Sequence, residues 1–237
     1  MPDSPAGPAT GTNRDAWVVM PVYNEKTVVA AVVSEVLRSF PNVVCVDDGS
    51  VDGSAEQVAR TGAHLVRHPI NLGQGAALQT GLAYAKARPG ARYFVTFDAD
   101  GQHRVDDAQA MLALARTGTA DVVLGSRFLR DDAEVPWPKR VVLKTAVALS
   151  PKARRLHLSD AHNGLRVFTR PVADQLRITM SDMAHASEIV GYLARSQWRV
   201  REVPVTINYT DYSKAKGQSL VNGVNILFDL SMKQRGG

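Results

Sequence analysis

The chain has 237 residues, 45% hydrophobic and 22% charged, enough for one large domain with a packed core and too apolar for global disorder. A net charge of +5 and an isoelectric point near 9.5 favour anionic partners: phosphorylated substrates, nucleic acid or lipid headgroups. No C-x-x-C zinc spacing, basic recognition segment or ribonucleoprotein aromatic motif is present, which sets nucleic acid aside, and no apolar run reaches the roughly 18 to 20 residues that cross a bilayer.

Residues 1–14, rich in Pro, Gly, Ala, Thr and Ser, read as a flexible tail without the apolar stretch of a signal peptide, so a cytoplasmic location is expected. Apolar runs then predict strands over 16–20, 43–46, 64–66, 93–97 and 122–124. Between them, apolar residues at helical spacing predict helices over 26–40, 54–61, 75–87 and 106–116. Asn24 is expected to cap the first helix, and Ser54-Ala55-Glu56-Gln57 has the form of a capping box. The single cysteine, Cys45, falls in a strand and is expected to be a small buried hydrophobe. This β-α alternation predicts an α/β fold whose central sheet is mainly parallel and covered by helices on both faces.

Beyond residue 130 the pattern loosens. It holds Pro136-Trp137-Pro138, a basic and apolar stretch over 139–155, a strand over 164–169, a helix over 187–195 and a strand over 198–207. The stretch 139–155 has the composition of a cationic interfacial helix, and 220–232 carries Leu220, Val224, Leu227 and Phe228 on roughly one face. Both could dock a membrane surface, and the second could also meet another subunit, with core packing the default reading for both because amphipathic helices most often bury their stripe internally. Between them, 209–219 is a polar loop with Lys214 and Lys216, suited to a lid over phosphates.

The chemistry concentrates where strands end. Asp98-Ala99-Asp100-Gly101-Gln102-His103 follows the strand over 93–97, so two carboxylates at i and i+2 project from its carboxyl end, where open α/β sheets bind ligands. Such a pair suits magnesium or manganese, hard ions that share their shell with substrate phosphates. Pro21-Val22-Tyr23-Asn24-Glu25 and Asp47-Asp48-Gly49-Ser50 close the first two strands and face the same edge: Tyr23 offers a ring face for a base, and Asp48 and Glu25 can accept from base or ribose donors. In Asn71-Leu72-Gly73-Gln74-Gly75 the glycines permit close approach at a helix N-terminus. The set is not a dinucleotide fingerprint, because Leu78 stands where a third glycine would be needed. Gly125-Ser126-Arg127 can bring a guanidinium fork to a diphosphate.

These five motifs, in this order over about residues 17–212, resemble the family 2 glycosyltransferases, in particular their dolichyl- and polyprenyl-phosphate sugar synthase branch. The resemblance implies a GT-A fold over 15–210, with 211–237 as polar loop and amphipathic helix. It also implies an inverting, metal-dependent transfer from a UDP- or GDP-sugar. Pro21, Tyr23, Glu25 and Asp48 would contact the nucleoside, with Gly75 and Ala99 lining the donor; Asp98, Asp100 and Gln102 would hold Mg2+ or Mn2+, and Arg127 would sit near the acceptor or diphosphate. Ser159-Asp160-Ala161-His162-Asn163-Gly164-Leu165-Arg166 resembles a further segment of that branch, with His162-Asn163 in place of its Thr-Ser.

A phosphate acceptor, with a second pKa near ~6, arrives as a dianion and needs no strong base. A hydroxyl acceptor needs one, for which Asp160 and Glu188 are the candidates. His162 and His185 can be metal ligands or structural donors. The expected partners are a nucleoside-diphosphate sugar and polyprenyl phosphate, with room for a peripheral membrane surface, a membrane-protein partner or a homo-oligomer. A soluble glycan or metabolite as acceptor, and a catalytically silent nucleotide-sugar-binding scaffold, stay open as alternatives. A sugar-phosphate nucleotidyltransferase would begin with a glycine-rich basic loop, which Pro21 to Glu25 is not.

Overall fold

The computed structural model describes residues 13–129, 151–181 and 184–208. Most of the tail, Pro136-Trp137-Pro138, most of the 139–155 stretch, the 209–219 loop and the 220–232 helix lie outside the described residues. The elements run β1 (Ala16–Val22), α1 (Val29–Leu37), β2 (Val43–Asp47), α2 (Ser54–Ala59), β3 (His64–Arg67), α3 (Gln74–Lys86), β4 (Tyr93–Thr96), α4 (Val105–Arg116) and β5 (Val122–Ser126). They continue with α5 (Pro151–Arg155), β6 (Arg166–Thr169), α6 (Arg170–Gln175), α7 (Ala184–Arg195) and β7 (Val200–Pro204).

The strands form one seven-stranded sheet in the order β3-β2-β1-β4-β6-β5-β7. Six run parallel; β6 alone is antiparallel, between β4 and β5. β1 is central, with Val18 in register with Val43 of β2 and Val95 of β4.

Strand alternation sorts the apolar residues into two cores. Val18, Met20, Val22, Val43 and Cys45 pack with Val29, Val33 and Val36 of α1 and with Ala108, Met111 and Leu112 of α4. Trp17, Val19, Val44 and Val46 face the other way, onto Leu78 and Leu82 of α3, Val172 of α6 and Ile189 and Leu193 of α7. Helices thus cover both faces, as the alternation implied. Burial raises the thiol of Cys45 to about 12, so it behaves as a hydrophobe. No helix among the described residues is long and apolar enough to cross a membrane.

Two local expectations fail. Asn24 does not cap a helix: it adopts φ +53°, donates its N–H to Ser50 Oγ at 2.9 Å and accepts from Val51 N–H at 3.1 Å, and the helix starts only at Val29. Ser54 is the first residue of α2, not its cap; its Oγ accepts from Glu25 N–H at 2.8 Å, while Asp52 Oδ1 accepts from Ser54 N–H at 2.9 Å. In both cases side-chain oxygens tie neighbouring loops together instead of capping a helix.

Candidate active site

Because β1 to β5 and β7 run parallel, the loops that leave them share one edge. Asp98, Ala99 and Asp100 stand there just past β4. Ala99 points into the core, so the two carboxylates lie on the rim. Asp98 is fixed from both sides: Gln74 Nε2 donates to Oδ1 at 3.1 Å and His103 Nε2 lies 2.9 Å from Oδ2. An ionised carboxylate only accepts, so His103 carries its proton on Nε2. Behind Asp98 stands Gly164, where a Cβ would come within 2.2 Å of Oδ2; the backbone of the loop before β6 is pressed directly onto the carboxylate.

The two aspartates are driven apart electrostatically. Burial opposes the charge on Asp98, but the His103 hydrogen bond and the fields of His103, Arg166 and His185 hold its carboxyl below the ordinary range. Asp100 has weaker compensation. Burial, the charge of Asp98 and that of Glu25 push it up to about 6, against a hydrogen bond from Gln102 N–H at 3.0 Å and the field of His103.

Around the expected nucleoside pocket, Tyr23 is 45% exposed, and Glu25 is buried close enough to raise Asp100. Asp48 is differently employed. Its Oδ1 accepts from Leu72 N–H at 3.0 Å and lies 2.7 Å from His68 Nδ1; its Oδ2 accepts from Gly73 N–H at 2.7 Å. His68 Nε2 in turn lies 3.0 Å from Thr80 Oγ1. Asp48 therefore organises the loop into α3. Gly75 donates its N–H to Ser181 O at 3.0 Å, and a Cβ there would lie 1.9 Å from Met180 O, so its close approach is to backbone of the same chain.

Past β5, Arg127 donates to Asp160 through Nε at 2.7 Å, Nη2 at 2.9 Å and its backbone N–H at 3.2 Å. Burial opposes ionisation of Asp160, and the Arg127 guanidinium overrides it, holding the carboxyl below the usual range. Glu188 accepts from Thr179 N–H, Thr179 Oγ and Met180 N–H. It too is held low: these bonds outweigh its burial. Carboxylates engaged and stabilised in this way make weak bases, so the expectation that either removes a proton finds no support in their contacts.

Burial drives His162 down to about 4, so it is neutral at pH 7. Among the described residues no cluster of three or more His, Cys, Asp or Glu is arranged to hold a metal. Among the described residues, His162 Nε2, Asn163 Nδ2, Arg166 Nη1 and His103 Nδ1 are buried and meet no hydrogen-bond partner.

The residues fit a divalent cation. Asp98 and Asp100 are oxygen donors of the hard type, and the proton affinity of Asp100 comes first from burial and then from the charge of Asp98, which a cation would offset. One or two carboxylates with substrate phosphates complete a magnesium shell without further protein ligands. Sequence inspection named most of this rim but gave no role to Gln74, His68 or Glu202, whose partners lie far away in the chain.

A family model described as "Glycosyl transferase family 2" matches residues 17–177. The chain is 27% identical to the UDP-N-acetylglucosamine--dolichyl-phosphate N-acetylglucosaminyltransferase of Methanococcus voltae, over 93% of this chain and 96% of that protein. It is 29% identical to the polyprenol monophosphomannose synthase of Mycolicibacterium smegmatis, over 88% and 82%. Its fold matches glucosyl-3-phosphoglycerate synthase from Mycobacterium tuberculosis, solved with Mn2+, uridine diphosphate and phosphoglyceric acid, with a TM-score of 0.66 at 15% identity over 93% of this chain and 80% of that one. With the family match covering well over half the sequence and the motif-bearing loops gathered at one sheet edge, the chain belongs to glycosyl transferase family 2.

Proposed function

We propose that the chain moves a sugar from a nucleoside-diphosphate donor to polyprenyl phosphate, with inversion at the anomeric carbon, at a membrane surface where that lipid resides. The observation that carries the reading is the state of the two expected bases. Asp160 is locked to Arg127 and Glu188 to the 179–180 backbone, both held in the ionised, weakly basic form. With both of these candidates engaged, the arrangement suits an acceptor that arrives deprotonated. A phosphate monoester, with a second pKa near ~6, does so at neutral pH. The names of the two relatives, a dolichyl-phosphate N-acetylglucosaminyltransferase and a polyprenol monophosphomannose synthase, support the same class of acceptor.

Tyr23 stacks on the base, and Asp48 shapes the loop that borders it. Asp98 and Asp100, with Gln102 beside them, would hold Mg2+ or Mn2+, which when bound supplies Lewis-acid neutralisation of the departing diphosphate. Arg127, braced by Asp160, presents its fixed charge beside this centre to the acceptor phosphate. The acceptor oxygen displaces the diphosphate from the opposite face: one bond forms, one breaks, and no proton moves.

The test is release of nucleoside diphosphate from a panel of UDP- and GDP-sugars with magnesium or manganese, with and without polyprenyl phosphate in detergent. Lipid-dependent release supports the proposal and names the donor. Equal release without lipid, or release that requires a glycan or small metabolite, replaces it with a soluble-acceptor enzyme.

A further inference from the structure

Glu202 lies on β7, in register with Leu124 of β5. Its carboxylate does not serve the strand pairing; it reaches the turn before β6. Oε2 accepts from Ser159 N–H at 2.7 Å and Ser159 Oγ at 2.9 Å, and Oε1 accepts from Asp160 N–H at 3.0 Å. Asp160 in turn holds Arg127 by Nε and Nη2. A second link runs through Ser159 Oγ, 2.6 Å from Ser126 Oγ, which accepts from Phe128 N–H at 3.2 Å. The backbone on either side of Arg127 and its guanidinium are thus both tied to one carboxylate on another strand.

That carboxylate is held at a cost. Burial and the neighbouring charge of Asp160 both raise its pKa above the ordinary range, against three hydrogen bonds that lower it. A negative charge beside Asp160 is a poor way to stabilise a sheet, since two like charges near each other destabilise both. It is a good way to fix a turn, because a carboxylate accepts several N–H and O–H donors at once and has none of its own to misplace.

We propose that Glu202 is a positioning residue for glycosyl transfer: by clamping the Ser159–Asp160 turn it sets the orientation in which Asp160 presents Arg127. The inference rests on Arg127 meeting the acceptor phosphate. Glu202→Gln puts an amide donor against donors already present, so the turn shifts while the side chain keeps its size.

The experiment is a double-mutant cycle of Glu202→Gln and Arg127→Lys, followed as nucleoside diphosphate release with each acceptor tried, water included, together with the NMR signal of the Arg127 side-chain Nε–H. Expected are a roughly 10-fold loss of kcat/KM for the acceptor in Glu202→Gln, the scale typical of outer partners of a functional group, an unchanged donor KM, a displaced Nε–H signal, and little further loss in the double variant. Additive losses, an equal rise in donor KM, or a displaced signal with undiminished turnover would reduce Glu202 to a structural residue. Ser159→Ala, which removes one of the three bonds, gives a milder version of the same pattern should Glu202→Gln fold poorly. Should polyprenyl phosphate prove not to be the acceptor, the cycle on the true acceptor still reads Glu202, so the two ideas fail separately.

Discussion

Arg127 and Asp160 stand 33 positions apart and form a two-pronged buried pair, guanidinium Nε and Nη2 lying 2.7 and 2.9 Å from the two carboxylate oxygens. Removing one partner strands the other's charge in the interior. Arg127→Ala is therefore expected to destabilise the fold by about 3–5 kcal/mol and to abolish transfer. Adding Asp160→Asn should restore much of the stability and none of the activity, as urea unfolding and turnover measured side by side will show.

Asp100 predicts a trade between function and stability. Its carboxyl is raised to about 6 in the metal-free chain, above the ordinary 3.8, so the folded state holds a proton that the unfolded state releases between those values. Stability is then lost as pH rises through that window. Asp100→Asn should raise stability in chelator at pH 7.5 by on the order of 1–3 kcal/mol, with the gain fading toward pH 4, and should eliminate turnover. Urea midpoints across pH, compared with metal-dependent activity, check both halves.

His162 acts in the opposite sense. Its folded pKa is about 4 against 6.5, so in the intervening range the unfolded state takes up a proton that the folded state refuses. Stability is fully present above about 6.5 and declines as pH falls toward 4, by roughly 3 kcal/mol at most. His162→Asn should flatten that limb; an unchanged acid slope would show that the ring charges in place.

The contact between Gly164 and Asp98 makes a steric prediction. A methyl group at residue 164 would lie 2.2 Å from Asp98 Oδ2, so the carboxylate, the loop or both must move. Gly164→Ala should cost roughly 100-fold in turnover, since displacements near 1 Å carry losses of that order. Metal titrations should weaken in parallel.

The sheet was legible because Val18-Val19-Met20 and Val43-Val44-Cys45 are apolar on both faces, as a doubly covered parallel strand must be. The carboxylate pair at the sheet edge was legible for a local reason: Asp98 and Asp100 follow one strand end. Asn24 and Ser54 misled because their side-chain oxygens serve cap and loop alike, and only the partners across the gap, Val51 and Glu25, decide which. The engagement of Asp160, and the part played by Glu202 in the alternating Val200–Pro204 strand, depend on pairings across 33 and 42 positions, which no local pattern carries. Nor does Arg166-Val167-Phe168 reveal direction, since an apolar strand reads alike both ways.

That reversed strand has a topological consequence. In a parallel strand the segment that leads in starts at the far side of the sheet, remote from the ligand. Because β6 runs backward between β4 and β5, its leading segment, with Asp160, His162 and Gly164, begins at the ligand's side and is wedged between the two exits that carry Asp98 and Arg127. One inverted strand thereby makes an entrance serve where the neighbouring strands contribute exits, and it links the Asp98 side of the rim to the Arg127 side through a single short stretch of chain.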